Sequence, residues 1–284
     1  SHLLGALTRK YDNVIGVCGT HGKTTVTSMI TQILYLNKMD PSAVIGGKLP
    51  IINSNGLCGK SDIFVCESCE FVNTFLQMSP DISVLLNIDN DHLDYFKTMD
   101  NLVLSFNKFL RMTKLSYVNG DDELALKATE GIDADIVTFG FGENNTYSAR
   151  NIQSGKYGFS FDVFKDGKKL INISMHIPGH HNVLNGLAAF GVCYDMGVEA
   201  KTIKNAISTF LGAGRRFEFL CETNGITFAD DYAHHPTEIS ATLNAAKQLN
   251  HNNVIAVFQP FTFSRTALLK ADFIAALSVA DKFI

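Results

Sequence analysis

The run Asn13-Val14-Ile15-Gly16-Val17-Cys18-Gly19-Thr20-His21-Gly22-Lys23-Thr24-Thr25 decides how the rest of the chain is read. Its apolar opening predicts a buried strand over Asn13–Cys18, and the pattern that follows predicts a helix from about Thr24 to Lys38. Between them Gly19 and Gly22 let backbone N–H groups approach a phosphate chain, Lys23 can neutralise its outer oxygens, and Thr24 can hold a magnesium ion. Thr20, His21 and Thr25 complete the loop. The usual eight-residue form of this signature has glycine where Val17 stands, so the match is to a shortened variant. Glycines can also merely end a strand, but Gly-Lys-Thr between an apolar strand and a helix points to triphosphate binding.

Working outward, further parallel-type strands are expected at Asp62–Glu67, Ile82–Ile88, Leu115–Val118 and Ile136–Phe139, with helices at Asn101–Met112 and Glu123–Thr129. Alternating strand and helix gives an α/β fold, a phosphate-loop-type, largely parallel sheet flanked by helices. From Tyr157 to Ile177 the period changes to two around the turn Asp166-Gly167, which predicts a small antiparallel flap. Helices are expected at His181–Met196 and Ala200–Phe210, ending at Leu211-Gly212-Ala213-Gly214, where a domain boundary fits. Residues 1–213 then form one domain. Residues 214–284, with strands near Thr227–Ala229 and Val254–Phe258 around a helix at Thr237–Leu249, read as the start of an incomplete Rossmann-like α/β unit.

The chain has 284 residues, 46% of them hydrophobic, ample for sizeable cores. A net charge of -4 and a pI near 6.1 supply no basic field for nucleic acid. No apolar stretch approaches the roughly 20 residues that span a bilayer, and no signal segment opens the chain, so the default compartment is the cytoplasm. The six cysteines are scattered, several in apolar runs, and are expected to be reduced. Cys66 and Cys69 form a C-x-x-C without the second pair a zinc site needs. Nothing in the sequence sets an oligomeric state.

Other residues with chemistry stand at element ends. Glu67 closes an apolar strand and can supply a magnesium carboxylate, or be an ordinary surface acid. The same logic applies to Asn87-Ile88-Asp89-Asn90-Asp91-His92-Leu93-Asp94, where His92 alone equally suits a loop. In Pro178-Gly179-His180-His181-Asn182-Val183-Leu184-Asn185, His181, Asn182 and Asn185 could read an adenine edge or cap the helix. Arg216, just past the glycines, could clamp phosphate on closure or belong to a solvated linker. Asp230-Asp231-Tyr232-Ala233-His234-His235-Pro236-Thr237-Glu238 concentrates acids and histidines beyond what a turn needs.

Taken in order, these motifs resemble the Mur ligases, through nearly the whole chain. The Gly-Thr-His-Gly-Lys-Thr-Thr loop is shared with folylpolyglutamate synthases. Its combination with Arg-Arg-Phe-Glu (215–218) and Asp-Asp-Tyr-Ala-His-His-Pro-Thr-Glu (230–238) is narrower, and resembles the alanine-adding branch or its murein tripeptide recycling relative. The resemblance implies an ATP- and Mg2+-dependent ligase of peptidoglycan synthesis. Its substrates would be UDP-N-acetylmuramate and L-alanine, joined through an acyl phosphate. It implies phosphate and metal binding by Lys23 and Thr24, metal near the γ-phosphate at Glu67 and His92, and ATP contacts from His181, Asn182 and Asn185. Arg216 would bridge to phosphate, Asp231 would organise the nucleotide, and His234, His235 and Arg265 become candidates for holding the amino acid. Two departures stand out. The family's preceding UDP-sugar-binding domain, of about one hundred residues, is absent from this chain, and its C-terminal domain continues past Ile284, so the fragment alone is expected to be inactive. Phe261 stands where the alanine-adding branch usually has histidine, which bears on the incoming amino acid. A non-ligase phosphate-loop NTPase remains the alternative of a different class.

Overall fold

The computed structural model describes residues 2–155, 158–249, 251–261 and 263–284, the side chain of 264 excepted. After a short helix α1 (His2–Thr8), β1 (Asn13–Cys18) leads through the glycine loop into α2 (Lys23–Leu36). A hairpin, β2 (Ser42–Leu49) and β3 (Ser54–Leu57), precedes β4 (Ile63–Glu67) and β5 (Ile82–Leu85). Then come α3 (Leu93–Phe96), α4 (Met99–Leu110), β6 (Leu115–Asn119), α5 (Glu123–Lys127) and β7 (Asp135–Gly140). Strands β8 (Tyr147–Ser154), β9 (Phe159–Lys165) and β10 (Lys168–Met175) are followed by α6 (His181–Asp195) and α7 (Ala200–Ser208).

These ten strands form one sheet in the order β10-β9-β8-β7-β6-β5-β1-β4-β2-β3. Strands β2, β4, β1, β5, β6, β7 and β8 run parallel, and β3, β9 and β10 add antiparallel pairings at the two edges. The chain leaves β1 toward β2 and β4 on one side, then crosses back to β5 on the other. That reversal puts a crevice at the carboxyl end of β1, where open α/β sheets collect ligands.

Each face of the sheet buries its own cluster. Ile15, Val17 and Val84 pack with Ile30 of α2 and with Val183 and Leu187 of α6. On the opposite face Cys18, Leu85 and Val118 meet Phe106 and Phe109 of α4. Phe75 stacks on Phe109 at 4.6 Å and lies edge-on to Phe106 at 5.4 Å, the two arrangements ring quadrupoles favour. Helix α2 is buried along Thr24–Leu34 because α6 and α7 cover the side turned away from the sheet.

The remaining elements are β11 (Glu218–Thr223), β12 (Ile226–Asp230), α8 (Pro236–Gln248), β13 (Ile255–Ala256), α9 (Phe263–Leu268), α10 (Lys270–Leu277) and β14 (Lys282–Phe283). β11 and β12 pair as an antiparallel hairpin, and β13 runs parallel to β14. The strand expected at Thr227–Ala229 is thus half of a hairpin, and the one expected at Val254–Phe258 shortens to two residues. The expected flap is there as β9 and β10, turning at Asp166 and Gly167, and is joined to the main sheet through β8. Its expected start, Tyr157, lies outside the described residues. All six cysteines are free thiols.

Candidate functional site

The glycine loop is built by backbone constraint. Gly19 has φ +131° and Gly22 has φ +88°, in the region that favours glycine. A Cβ on Gly22 would stand 2.8 Å from Asn185 Oδ1, so α6 itself backs the loop. Asn87, just past β5, fixes the other side: its Oδ1 accepts from His21 N (2.8 Å), and its carbonyl accepts from Thr20 N (3.1 Å).

Thr24 Oγ1 donates to Glu67 Oε2 at 3.2 Å, and Gly46 N donates to the other carboxylate oxygen. A hydroxyl and a carboxylate side by side at a phosphate loop form the hard oxygen set that magnesium takes. Arg216 reaches the same point from beyond Gly214, its Nη2 donating to Thr24 Oγ1 at 3.4 Å. Gly214 is itself pinned, its N donating to Lys48 O (2.8 Å), and a Cβ on Gly47 would lie 3.1 Å from Thr24 Cγ2.

His92 lies within electrostatic reach of Lys23 and Glu70. Its Nε2 lies 3.5 Å from Asp91 Oδ2 and its ring packs on Phe71 at 4.6 Å. Burial lowers its pKa against the pull of Asp91 and Glu70, leaving the neutral imidazole that ligates metals. Lys23 is turned inward, donating to Thr20 O (3.0 Å), to the Gly19 carbonyl and to Glu70 Oε2 (3.0 Å). Burial opposes the ammonium charge, but Glu70, with Cys69 and Glu67 behind it, outweighs that and the pKa is raised.

Two cavities meet at Thr24 and Arg216. One, of about 490 Å³, is lined by Gly22, Thr25, Asn119, Phe139, His181, Asn182, Asn185, Phe217, Asp231 and the α8 residues Ala241 and Ala245. Its apolar walls and few convergent polar groups suit a flat heteroaromatic ligand. The two asparagines brace each other, Asn185 Nδ2 donating to Asn182 Oδ1 at 2.9 Å and Asn182 Nδ2 to Pro178 O at 2.6 Å. Asp231 accepts from Phe217 N and Ala233 N, both at 2.7 Å; burial nonetheless raises its pKa. The second cavity, about 900 Å³, lies along Lys48, Asn53, Asn55, Glu67 and Arg215.

The amino-acid candidates sit elsewhere, at the seam between α8 and the sheet, and none lines either cavity. His235, 4% exposed, accepts from Thr237 N and donates to Asn90 O at 3.0 Å. His234 faces Tyr232 O at 2.9 Å. Arg265 forks onto Asp91, Nε donating to Oδ1 at 3.3 Å and Nη2 to Oδ2 at 3.2 Å and Oδ1 at 2.9 Å. Phe261 is 68% exposed. His21 turns both ring nitrogens to carboxylates, Nε2 to Asp89 (3.0 Å) and Nδ1 to Glu238 (3.2 Å). Burial would lower its pKa, but those hydrogen bonds raise it to about 9. His21, Asp89 and His235 are close enough to hold a metal, yet every ring nitrogen is already engaged as a donor or acceptor, so the cluster is an ion-paired bridge. Sequence reading missed Glu70 and the His21–Glu238 bridge. Nothing local in the sequence links His21 to Glu238, 217 residues further on.

A family model described as the Mur ligase middle domain matches residues 17–193, and one described as the Mur ligase, glutamate ligase domain matches 215–284. The chain belongs to the Mur ligase family. The expected family and α/β fold are both borne out. Proteins named UDP-N-acetylmuramate--L-alanine ligase from Clostridium acetobutylicum and Caldicellulosiruptor saccharolyticus are 43% and 45% identical, each alignment covering 100% of this chain and 63% of the relative. The crystal structure of UDP-N-acetylmuramate-alanine ligase from Thermotoga maritima superposes with a TM-score of 0.84 at 30% identity, covering 99% of this chain and 63% of that one. A murein peptide ligase from Psychrobacter arcticus, 22% identical with a TM-score of 0.73, shares the fold. This Mur ligase chain thus spans 63% of the length of the curated relatives named here. No helix among its described residues is long and apolar enough to cross a membrane.

Proposed function

We propose that this chain is the ATP-handling part of a ligase that adds L-alanine to UDP-N-acetylmuramate in peptidoglycan synthesis, in the cytoplasm. We place the division between its central ATP-binding domain and the start of its C-terminal domain at residues 213 and 214. The observation that carries the reading is the junction at Thr24, where the phosphate loop, Glu67 and Arg216 meet between two cavities. A triphosphate laid from the smaller cavity across the loop would bring its terminal phosphate to that junction. An acceptor carboxylate would approach from the larger one.

In this reading the acceptor carboxylate oxygen bonds to the γ-phosphorus while the bond to the ADP oxygen breaks, giving an acyl phosphate. The amino group of the amino acid then attacks the acyl carbon, an amide forms, phosphate leaves, and the amine proton passes to solvent. Thr24 and Glu67 would hold magnesium, with His92 as a further candidate ligand. When bound, the ion supplies charge neutralisation along the phosphates. Lys23, once drawn onto the phosphates, and Arg216 would add positive charge where negative charge accumulates in the transition state. Asn182, Asn185, His181 and Asp231 would position the nucleoside. No protein nucleophile is required.

The test is a coupled ADP-release assay on the full-length protein that contains this chain. UDP-N-acetylmuramate would be paired in turn with L-alanine, glycine, L-serine and the tripeptide of the recycling reaction. L-Alanine should give the highest kcat/KM together with a new amide. Phosphate release independent of any amino acid, or a phosphorylated acceptor without amide, would remove the ligase reading.

A further inference from the structure

Glu70 is 2% exposed, and its carboxylate accepts from Lys23 Nζ through both oxygens, at 3.0 and 3.3 Å. It lies three residues beyond Glu67, in the turn before a short 3-10 segment at Phe71–Gln77, and none of the site assignments uses it. The same ammonium donates to Gly19 O and Thr20 O, so it is folded onto the loop it is meant to serve and lines neither cavity. A carboxylate this deeply buried is tolerable only while a cation is on it. It also adds to the negative field at the phosphate loop, where Glu67 already stands.

We propose that Glu70 is a positioning residue that parks Lys23, so that nucleotide binding is an exchange of one anion for another on the same ammonium. This rests on the reading of the loop as the ATP site. The incoming phosphates must take Lys23 from Glu70, wholly or in part, against the repulsion of a buried negative charge. Both effects weaken nucleotide binding. They also keep Lys23 charged and close to the loop, so that its reach to phosphate is a short side-chain movement.

The test is the Kd for ATP, measured by calorimetry with EDTA and again with Mg2+, for the full-length wild type, Glu70→Gln and Glu70→Asp. Glu70→Gln keeps shape and removes charge. It is expected to tighten magnesium-free ATP roughly ten-fold, the scale of one charge-assisted contact, and to lower the KM for ATP more than it changes kcat. Glu70→Asp keeps the charge and should stay within about two-fold of wild type on the same scale, which also keeps the test usable if Glu70→Gln folds poorly. Unchanged or weaker magnesium-free binding in Glu70→Gln, or equal tightening in Glu70→Asp, overturns the proposal. A lower melting temperature with unchanged Kd assigns Glu70 a purely structural role, and also overturns it. Failure of the wild type to bind ATP at all would instead sink the reading of the loop.

Discussion

The two parts of the molecule on either side of Gly214 hold themselves together by different means. Before that residue, one ten-stranded sheet buries an extensive apolar cluster on each face. After it, α8 and α10 pack with Val254 beside β13 in a small core that also takes Ala280, through Ile239, Leu243, Phe273, Ala276 and Leu277, and the β11–β12 hairpin contributes no described residue to it. The contact between the parts is of a third kind. Among the described residues it includes His21 with Glu238, Thr237 with Asp89, His235 with Asn90, Arg265 with Asp91 and Arg216 with Thr24. Polar pairs of this sort can exchange their partners for water or ligand, which a buried apolar face cannot.

The largest effect should come from within the first part. Lys23→Ala removes the ammonium from the phosphate loop and should reduce ATP-dependent phosphate release by at least about 100-fold, read in the coupled assay with folding checked by circular dichroism. Retention of near-normal turnover would break the assignment of the loop. Next is the contrast between cores. Phe106→Ala, at a position with no exposure between Phe75 and the sheet, should cost about 3–5 kcal/mol. Leu243→Ala, 8% exposed in the small core, should cost about 2 kcal/mol. Urea unfolding of both variants measures the difference, and equal losses would deny that the two parts differ in kind.

The seam adds a pH dependence of known sign. His21 has a pKa of about 9 in the folded chain against 6.5 for a free imidazole, so folding binds its proton more tightly. The stabilisation is complete below pH 6.5 and is lost as pH rises through about 9. It amounts to on the order of 3 kcal/mol at most, from the size of the shift. Melting temperatures between pH 6 and pH 10 should fall accordingly, and Glu238→Gln should flatten that slope. A steeper slope in the variant would show that Glu238 is not the partner holding the proton.

How much of this was legible in the sequence follows the same division. The apolar strands β1, β4, β5, β6 and β7 announce themselves because burial on both faces demands continuous hydrophobic runs. Strands β2, β3, β8 and β11 do not. Ser54–Leu57 and Glu218–Thr223 have no buried residue, so pairing rather than an apolar face holds them, and pairing leaves no local pattern. In the site, Lys23, Thr24 and Glu67 could be found because each closes or follows a recognisable strand. Arg216 could be suspected from its place after the glycines. Glu70 could not, since Cys-Glu-Ser-Cys-Glu reads as a loop, and only the fold shows which of its two glutamates meets Lys23. The partners at the seam, His21 with Glu238 and Asp91 with Arg265, lie 217 and 174 residues apart, a separation that periodicity cannot bridge.

The smallest expected effect concerns Arg265, for which sequence and structure suggest different duties. The resemblance to the Mur ligases makes it a candidate for the amino-acid carboxylate. The structure gives its guanidinium fork to Asp91, with both side chains largely buried at 13% and 11% exposure. Burial works against the charge of Asp91, but His92 and Arg265 outweigh it and hold the carboxyl below its ordinary value. If the fork mainly pins the seam, Arg265→Lys replaces two parallel hydrogen bonds by one point contact, costing about 1 kcal/mol. Hydrogen exchange at the α8 and α9 amides should then quicken several-fold while the KM for the amino acid stays put. If Arg265 instead leaves Asp91 to take the substrate carboxylate, Asp91→Asn frees it in advance, and the KM for the amino acid should drop a few-fold with exchange unchanged. The buried bidentate geometry favours the pin, and the second pattern would transfer Arg265 from the seam to the substrate site.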